Sequence, residues 1–235
     1  MTPLPTPRAV LFDLDFTLLE PGELFFAEGY RRMGAKFGLE LDVAGWPEAE
    51  RAAYRAVEER RERFGNAHDD GTYDAIAHAV ITALGGGDPE KVQACAEAVI
   101  AEWARCENFG LYADVVPCLT RLKDAGIRMA LVSNTNRDLI AVLEYFALRD
   151  YVTTAVASCE VGLSKPAPEI FGAALERLGV PAAEAAMVGD SYSDDVRGAL
   201  ACGFAAAVLL DRSGRPPRHQ PTIRSLAELP PILGL

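Results

Sequence analysis

The sequence predicts an α/β protein: a parallel sheet covered by helices on both faces, interrupted by a helical block. Three observations carry this. Val10-Leu11-Phe12 is a short apolar run that stops at two carboxylates, Asp13 and Asp15. From residue 109 onward, short apolar runs alternate with segments of helical periodicity, the pattern of parallel strands joined by crossover helices. Between these regions, residues from about 23 to 108 are helical in pattern almost throughout.

Taken in order, residues 10–12 read as a buried strand. Phe26, Tyr30, Met33 and Phe37 recur at helical spacing and define one face of a first helix, closed by Gly38. A second helix spans about 47–65, and its Glu/Arg-rich stretch at 58–63 reads as a solvated face with intrahelical pairs. A third covers about 72–84 and is broken by Gly85-Gly86-Gly87; Asp88-Pro89 then supplies a cap and a first-turn proline for a fourth. Beyond 109, Val115, Leu119 and Leu122 mark a helix ended by Gly126, followed by a strand at 127–132, a helix near 136–147 and a strand near 152–157. A helix at 168–178 ended by Gly179, a strand at 185–188, a helix near 194–202 ended by Gly203 and a last strand at 205–210 complete the alternation. The tail, with Pro216-Pro217, Pro221 and Pro230-Pro231, reads as loop. Residues 1–20 and 109–235 are thus expected to form an α/β core, and 21–108 an inserted helical domain hinged at Glu20-Pro21-Gly22 and Phe109-Gly110. Ligands of open α/β sheets bind beyond the carboxyl ends of the strands, near a switch in strand order. A helical block rooted beside that edge is placed to act as a lid.

Composition narrows the function. A net charge of −11 over 235 residues argues against nucleic acid or an anionic membrane as partner. No apolar run is long enough to span a bilayer, and the Pro-rich start at 1–7 lacks the charged and apolar regions of a signal peptide. The five cysteines (Cys95, Cys106, Cys118, Cys159, Cys202) are odd in number and form no Cys-x-x-Cys, which points to a reduced, cytoplasmic setting with each as a small buried hydrophobe.

Four clusters that can do chemistry follow predicted strands: Asp13-Leu14-Asp15-Phe16-Thr17, Ser133-Asn134, Lys165-Pro166, and Gly189-Asp190-Ser191-Tyr192-Ser193-Asp194-Asp195. Singly, each has a plainer reading as a turn, a helix cap or a surface lysine. Jointly, in this order and at strand ends, they indicate an active site. Two carboxylates as close as Asp13 and Asp15 repel unless a cation or a shared proton stands between them, so the set suggests a metal-assisted site for an anionic substrate.

In these four motifs the chain resembles the haloacid dehalogenase superfamily, in its phosphatase branch. The resemblance covers about 8–19 and 109–210, and the helical insertion matches that superfamily's small helical cap in position and character. It implies a Rossmann-like three-layer core and a Mg²⁺-dependent phosphomonoesterase acting on a small phosphorylated metabolite. Asp13 would attack phosphorus to form an aspartyl-phosphate; Asp15 would protonate the leaving oxygen and then deprotonate water, with a pKa above that of a free Asp. Thr17, Ser133 and the Asn134 backbone N–H would bind phosphoryl oxygens, and Lys165 would place a positive charge beside Asp13. Pro166 would keep Lys165 in an extended loop. Asp13, the Asp15 carbonyl and Asp190 would hold Mg²⁺, with Asp195 on metal-bound water or on Lys165 and Asp194 turned away. Phe16 departs from the family pattern, which most often has Gly or another small or polar residue there; a ring at that place would narrow the approach of the leaving group.

Other readings use the same scaffold. A sugar-phosphate phosphomutase keeps the motifs and differs in how the insertion excludes water. A 2-haloacid dehalogenase needs neither proton donor nor metal and typically lacks the second Asp, present here as Asp15. A phosphonate hydrolase would need Lys36 or Lys91 as imine former, and a non-catalytic binding module would show decay at some catalytic position. His68, His78 and His219 have no metal spacing, Gly85-Gly86-Gly87 lacks the Lys of a phosphate loop, and Ser191 lies outside Gly-x-Ser-x-Gly. The loop at 65–70, with His68, Asp69 and Asp70, is the expected specificity segment, its two acids suggesting a polar leaving group. Arg31 and Arg32 read as solvated arginines able to add an anion contact, and Phe25 as a candidate cleft residue.

Overall fold

The computed structural model describes residues 6–214 and 219–235. The proline-rich start at 1–5 and Pro216-Pro217 of the tail lie outside them. The chain up to Glu20 and from Leu111 onward makes one compact unit, and Pro21–Gly110 makes a second.

The first unit opens with β1 (Ala9–Phe12), buried at all four positions. An unbroken apolar run, with no polar alternation, is what a strand covered on both faces requires. A short strand, β2 (Leu19–Pro21), leads into the second unit.

That unit contains α1 (Ala27–Lys36), α2 (Trp46–Phe64), α3 (Gly71–Ala83) and α4 (Pro89–Trp103). Its core joins Tyr30, Met33, Ala77, Ile81, Cys95 and Val99 from three of these helices. The fourth helix starts as its sequence demands: the Asp88 side chain accepts from the Glu90 and Lys91 backbone N–H groups, and Pro89 occupies the first turn. The predicted aromatic stripe on α1 shortens to Tyr30 and Met33, with Phe37 packed at the margin. Phe26 precedes the helix in extended backbone and is exposed. Phe25 stacks on Trp103 and tilts against Phe109. Arg61 pairs with Glu58 at 3.4 Å on the solvated face of α2.

The chain returns through β3 (Phe109–Leu111), which pairs with β2. The first unit then continues with α5 (Val115–Asp124), β4 (Arg128–Ser133), α6 (Leu139–Tyr145), β5 (Thr154–Ala157), α7 (Ser158–Val161), α8 (Pro168–Leu178) and β6 (Ala185–Gly189). A π-helical turn (Tyr192–Arg197) runs into α9 (Gly198–Ala201), and β7 (Ala206–Leu210), β8 (Thr222–Ile223) and α10 (Leu229–Ile232) follow.

Three expectations change. The helix near 136–147 starts only at Leu139, because Asp138 caps it by accepting from Ile140 and Ala141 N–H. The helix near 194–202 is a π-helical turn continued by one short α turn. The strand at 206–210 is not the last: β8 adds at the sheet edge, pairing Leu209 with Thr222, in a tail whose prolines read as loop. Pro221 just precedes it, and an edge is where a sheet accepts proline.

The six strands β5-β4-β1-β6-β7-β8 are all parallel. The order runs outward from β1 in both directions, so the topological switch lies at β1, between β4 and β6. Phe12 pairs with Leu131 on one side and Val188 on the other. The chain segments just after β1, β4 and β6 therefore leave the same sheet edge side by side. Under one face, Leu11, Val132, Ile170, Phe171, Met187 and Val196 form a buried core that anchors this edge.

Candidate active site

Asp13 N–H donates to Val188 O at 3.0 Å, which carries the sheet ladder one residue past β1. The chain then folds back tightly: Leu18 and Leu19 N–H both donate to Leu14 O, and Phe16 N–H to Leu19 O. Phe16 sits in this turn at φ +62° with its ring exposed. That left-handed conformation explains why glycine suits the position; for a residue with a Cβ it costs about 1–2 kcal/mol.

Lys165 reaches the same place from the loop between α7 and α8. Its Nζ donates to Asp13 Oδ1 at 2.6 Å and to Asp195 Oδ1 at 2.7 Å, and the side chain is 3 % exposed. Its backbone is held by Asn134. The Asn134 side chain accepts from Lys165 N–H at 2.7 Å and donates to Lys165 O at 3.1 Å. Asn134 thus clamps the lysine loop through its side chain. The Lys165–Pro166 bond is cis.

Asp195 comes from the π-helical turn and is buried. Its second oxygen accepts from Ser191 N–H at 3.0 Å. This close approach depends on Gly189: a Cβ there would lie 2.1 Å from Asp195 Oδ2 and 2.7 Å from its Cβ. Asp13, Asp190 and Asp195 each offer a carboxylate oxygen within 4.8 Å of the others. Asp194 stays outside that group and accepts from Ser193 Oγ.

Ser133, the last residue of β4, and Thr17 are both buried. Thr17 Oγ1 has no hydrogen-bond partner among the described residues, and neither has the buried Asp15 Oδ1. A buried hydroxyl left unpaired costs about 1–3 kcal/mol unless something else satisfies it. Behind Thr17, Arg212 donates to the Thr17 carbonyl at 3.0 Å and packs on the Tyr112 ring. Arg212 also forks onto both oxygens of Asp114, which accepts further from Ser225 Oγ and Leu226 N–H.

The electrostatics follow from burial and crowding. Burial is the largest influence on Asp15 and raises its pKa; Arg137 opposes it and the Asp13 charge adds to it. Desolvation, then the charges of Asp13 and Asp195, hold Asp190 well above the usual carboxylate range, and because Asp190 is itself exposed the two charges carry most weight. Burial pushes Asp195 up to about 7, against the pull of Lys165. For Lys165, burial alone would lower the ammonium's pKa, but the charges of Asp13 and Asp195 reverse this and raise it. Lys165 and Arg137 set against Asp13, Asp15, Asp190 and Asp195 leave negative charge uncompensated. An all-oxygen donor set of this kind fits a hard divalent cation, and Mg²⁺ suits it.

Sequence reasoning missed Arg137. Its Nη2 donates to Asp15 Oδ2, and its side chain is 9 % exposed. The available signal was position: it lies in the same post-β4 loop as Ser133 and Asn134. The loop at 65–70 is held from within. Arg60 forks onto Asp69 with two 2.5 Å bonds, and Thr72 Oγ1 and Gly71 N–H donate to the same carboxylate. Asp69 is thereby committed to the loop's own structure, while His68 Nε2 lies 3.0 Å from Asp70 Oδ1. Arg31 and Arg32 pair with Glu28 and Glu23 at the surface. No disulfide joins the five cysteines; Cys95 and Cys118 are buried as expected, but Cys106 and Cys202 are half-buried and Cys159 is exposed. Among the described residues no helix is long and apolar enough to cross a membrane.

Residues 7–203 match the model of the haloacid dehalogenase-like hydrolases. The chain is 31 % identical over 206 residues to a glyceraldehyde 3-phosphate phosphatase of Methanopyrus kandleri, covering 84 % of this chain and 81 % of that one. It is 34 % identical over 230 residues to a phosphoserine phosphatase of Thermus thermophilus, covering 94 % and 89 %. A crystal structure of a phosphatase of the same family from Thermococcus onnurineus superposes with a TM-score of 0.64 at 30 % identity, covering 97 % of this chain and 98 % of that one. With its motifs gathered at one sheet edge and its family model matched over most of its length, the chain belongs to the haloacid dehalogenase-like hydrolases.

Proposed function

We propose that this protein is a Mg²⁺-dependent phosphomonoesterase that hydrolyses a small phosphorylated metabolite through an aspartyl-phosphate on Asp13. The observation that carries the reading is the Asp13–Lys165–Asp195 bridge with Asp190 beside it. The names of the relatives, a glyceraldehyde 3-phosphate phosphatase and a phosphoserine phosphatase, favour a small phosphate ester as substrate.

The Asp13 and Asp190 side chains and the Asp15 carbonyl would hold Mg²⁺, with Asp195 supporting from behind. Bound there, the ion would neutralise the clustered carboxylates and polarise a phosphoryl oxygen. The remaining chemistry belongs to the chain. Thr17 Oγ1 and Ser133 Oγ donate to phosphoryl oxygens, and Lys165 offsets the charge that builds on the phosphoryl group and on Asp13. A carboxylate oxygen of Asp13 attacks phosphorus and the P–O bond to the leaving group breaks. Asp15, protonated, gives that oxygen its proton. Asp15 then takes a proton from water, which attacks phosphorus, breaks the Asp13–phosphorus bond and releases inorganic phosphate. A raised Asp15 pKa serves both steps. The helical unit, Pro21–Gly110, acts in this proposal as the cap that selects the substrate.

A panel of phosphorylated metabolites, assayed for phosphate release with and without Mg²⁺, tests the reading. Turnover should need the metal, and Asp13→Asn should abolish it. Asp15→Asn should lose about 10²–10⁴-fold, or about 3–5 kcal/mol of transition-state stabilisation. Full activity in excess chelator, or normal turnover by the Asp13→Asn protein, would overturn the mechanism. Isomerisation of a sugar phosphate without phosphate release would replace it by the mutase reading.

A further inference from the structure

We propose that Arg137 is a positioning residue that fixes Asp15 by one carboxylate oxygen, so that the other, Oδ1, is the atom that exchanges the proton. The inference rests on the acid–base role proposed for Asp15 and names the atom that performs it and the group that aims it. Arg137 Nη2 donates to Asp15 Oδ2, while Oδ1 is buried and has no hydrogen-bond partner among the described residues. The two oxygens are therefore inequivalent before any substrate arrives. A carboxyl group with both oxygens free could rotate about its terminal bond; one tethered by a guanidinium cannot do so without breaking a charged hydrogen bond.

The tether is itself supported. Arg137 Nε and its backbone N–H both donate to Thr135 Oγ1, at 3.3 and 3.1 Å. Thr135 is buried, and its own N–H donates to Ser158 Oγ at 2.9 Å, which ties the post-β4 loop to the first residue of α7. Arg137 thus projects from a braced loop that neighbours β1 across the sheet edge. Lysine could supply the charge there but not the combined bonds to Thr135 and Asp15 that a guanidinium makes.

The proposal concerns proton delivery to the leaving oxygen, so the test varies the need for that proton. Phosphorylation of Asp13 is read as kcat/KM for an alkyl phosphate, whose alkoxide must be protonated, and for p-nitrophenyl phosphate, whose phenolate leaves unaided. Arg137→Met should lower kcat/KM about 10–100-fold for the alkyl ester but within about 3-fold for the nitrophenyl ester, and Arg137→Lys should restore only part of the loss. Asp15→Asn run alongside should show the same selective loss, more severely. An equal drop on both esters in Arg137→Met, with Asp15→Asn still selective, would overturn the role of Arg137 and leave the mechanism standing. A non-selective Asp15→Asn would instead sink the acid–base reading itself. Circular dichroism and melting temperature separate either result from misfolding; if Arg137→Met does not fold, Arg137→Gln and Thr135→Val carry the same comparison.

Discussion

Replacing Lys165 by Met removes the ammonium that bridges Asp13 and Asp195 while keeping a side chain of similar reach. The structure sets the size of the effect. The ammonium is almost fully buried and makes charged hydrogen bonds of 2.6 and 2.7 Å. Each bond of that kind contributes about 1.5–3 kcal/mol, and breaking a buried pair by removing one partner costs about 3–5 kcal/mol. The apolar stem of Met recovers part of this, so a loss of about 3 kcal/mol is expected at pH 7 without metal, or about 6–12 °C in melting temperature. The pH dependence has a definite sign. The pKa of Lys165 is raised by folding, so its contribution is complete below the unfolded value of about 10.4 and is lost only as pH rises through the folded value. On the acid side the gap between wild type and variant should narrow, because Asp195, whose pKa burial raises, can then take up a proton in place of the missing charge. Thermal melts in chelator across this range read it directly, and added Mg²⁺ should raise the variant's melting temperature more than the wild type's. Melting temperatures within about 1 °C at pH 7 in chelator would show that the bridge contributes nothing net and would refute the reasoning.

Gly189→Ala would drive a Cβ into Asp195; a loss of about 1–3 kcal/mol in stability and weaker Mg²⁺ binding by calorimetry are expected, and unchanged metal affinity would show that Asp195 moves aside freely. Phe16→Gly should relieve about 1–2 kcal/mol of left-handed strain but return about 0.5–1 through the freer unfolded chain, leaving urea stability equal or slightly higher; a clear loss would mean that the exposed ring makes contacts of value. Asp114→Ala should cost about 3 kcal/mol at pH 7. Burial alone would raise the Asp114 pKa, but the hydrogen bonds from Arg212, Ser225 and Leu226, with the Arg212 charge, lower it. Its contribution is therefore present above the unfolded value of about 3.9 and lost as pH falls through the folded one, so urea titrations of the two proteins should converge near pH 3.

What could be read from the chain and what could not divide along a physical line. Positions at strand ends were legible, because an apolar run that stops at Asp13, Ser133 or Gly189 announces the carboxyl edge of a buried parallel strand. Helix limits were legible where capping chemistry is local, as at Asp88-Pro89 and Gly179. The misses are pairings made in space. Asp138 truncates α6, which periodicity alone extends backward, because a side-chain cap competes with a further turn of helix. The tail forms β8 because the free edge of β7 offers it hydrogen bonds, and no residue between 219 and 223 signals that edge. Arg137, Arg212 and Arg60 look alike in sequence, each an arginine in a charged or polar stretch. One tethers a proposed proton donor, one braces the turn carrying Thr17, and one removes Asp69 from the acids available to a substrate. An arginine's function is set by which carboxylate lies within reach of a long, fork-ended side chain, and that is decided by tertiary structure. The same reasoning separates the two acids of the 65–70 loop. Asp69 is fully engaged by Arg60, Gly71 and Thr72, so Asp69→Asn should act on loop order before it acts on specificity.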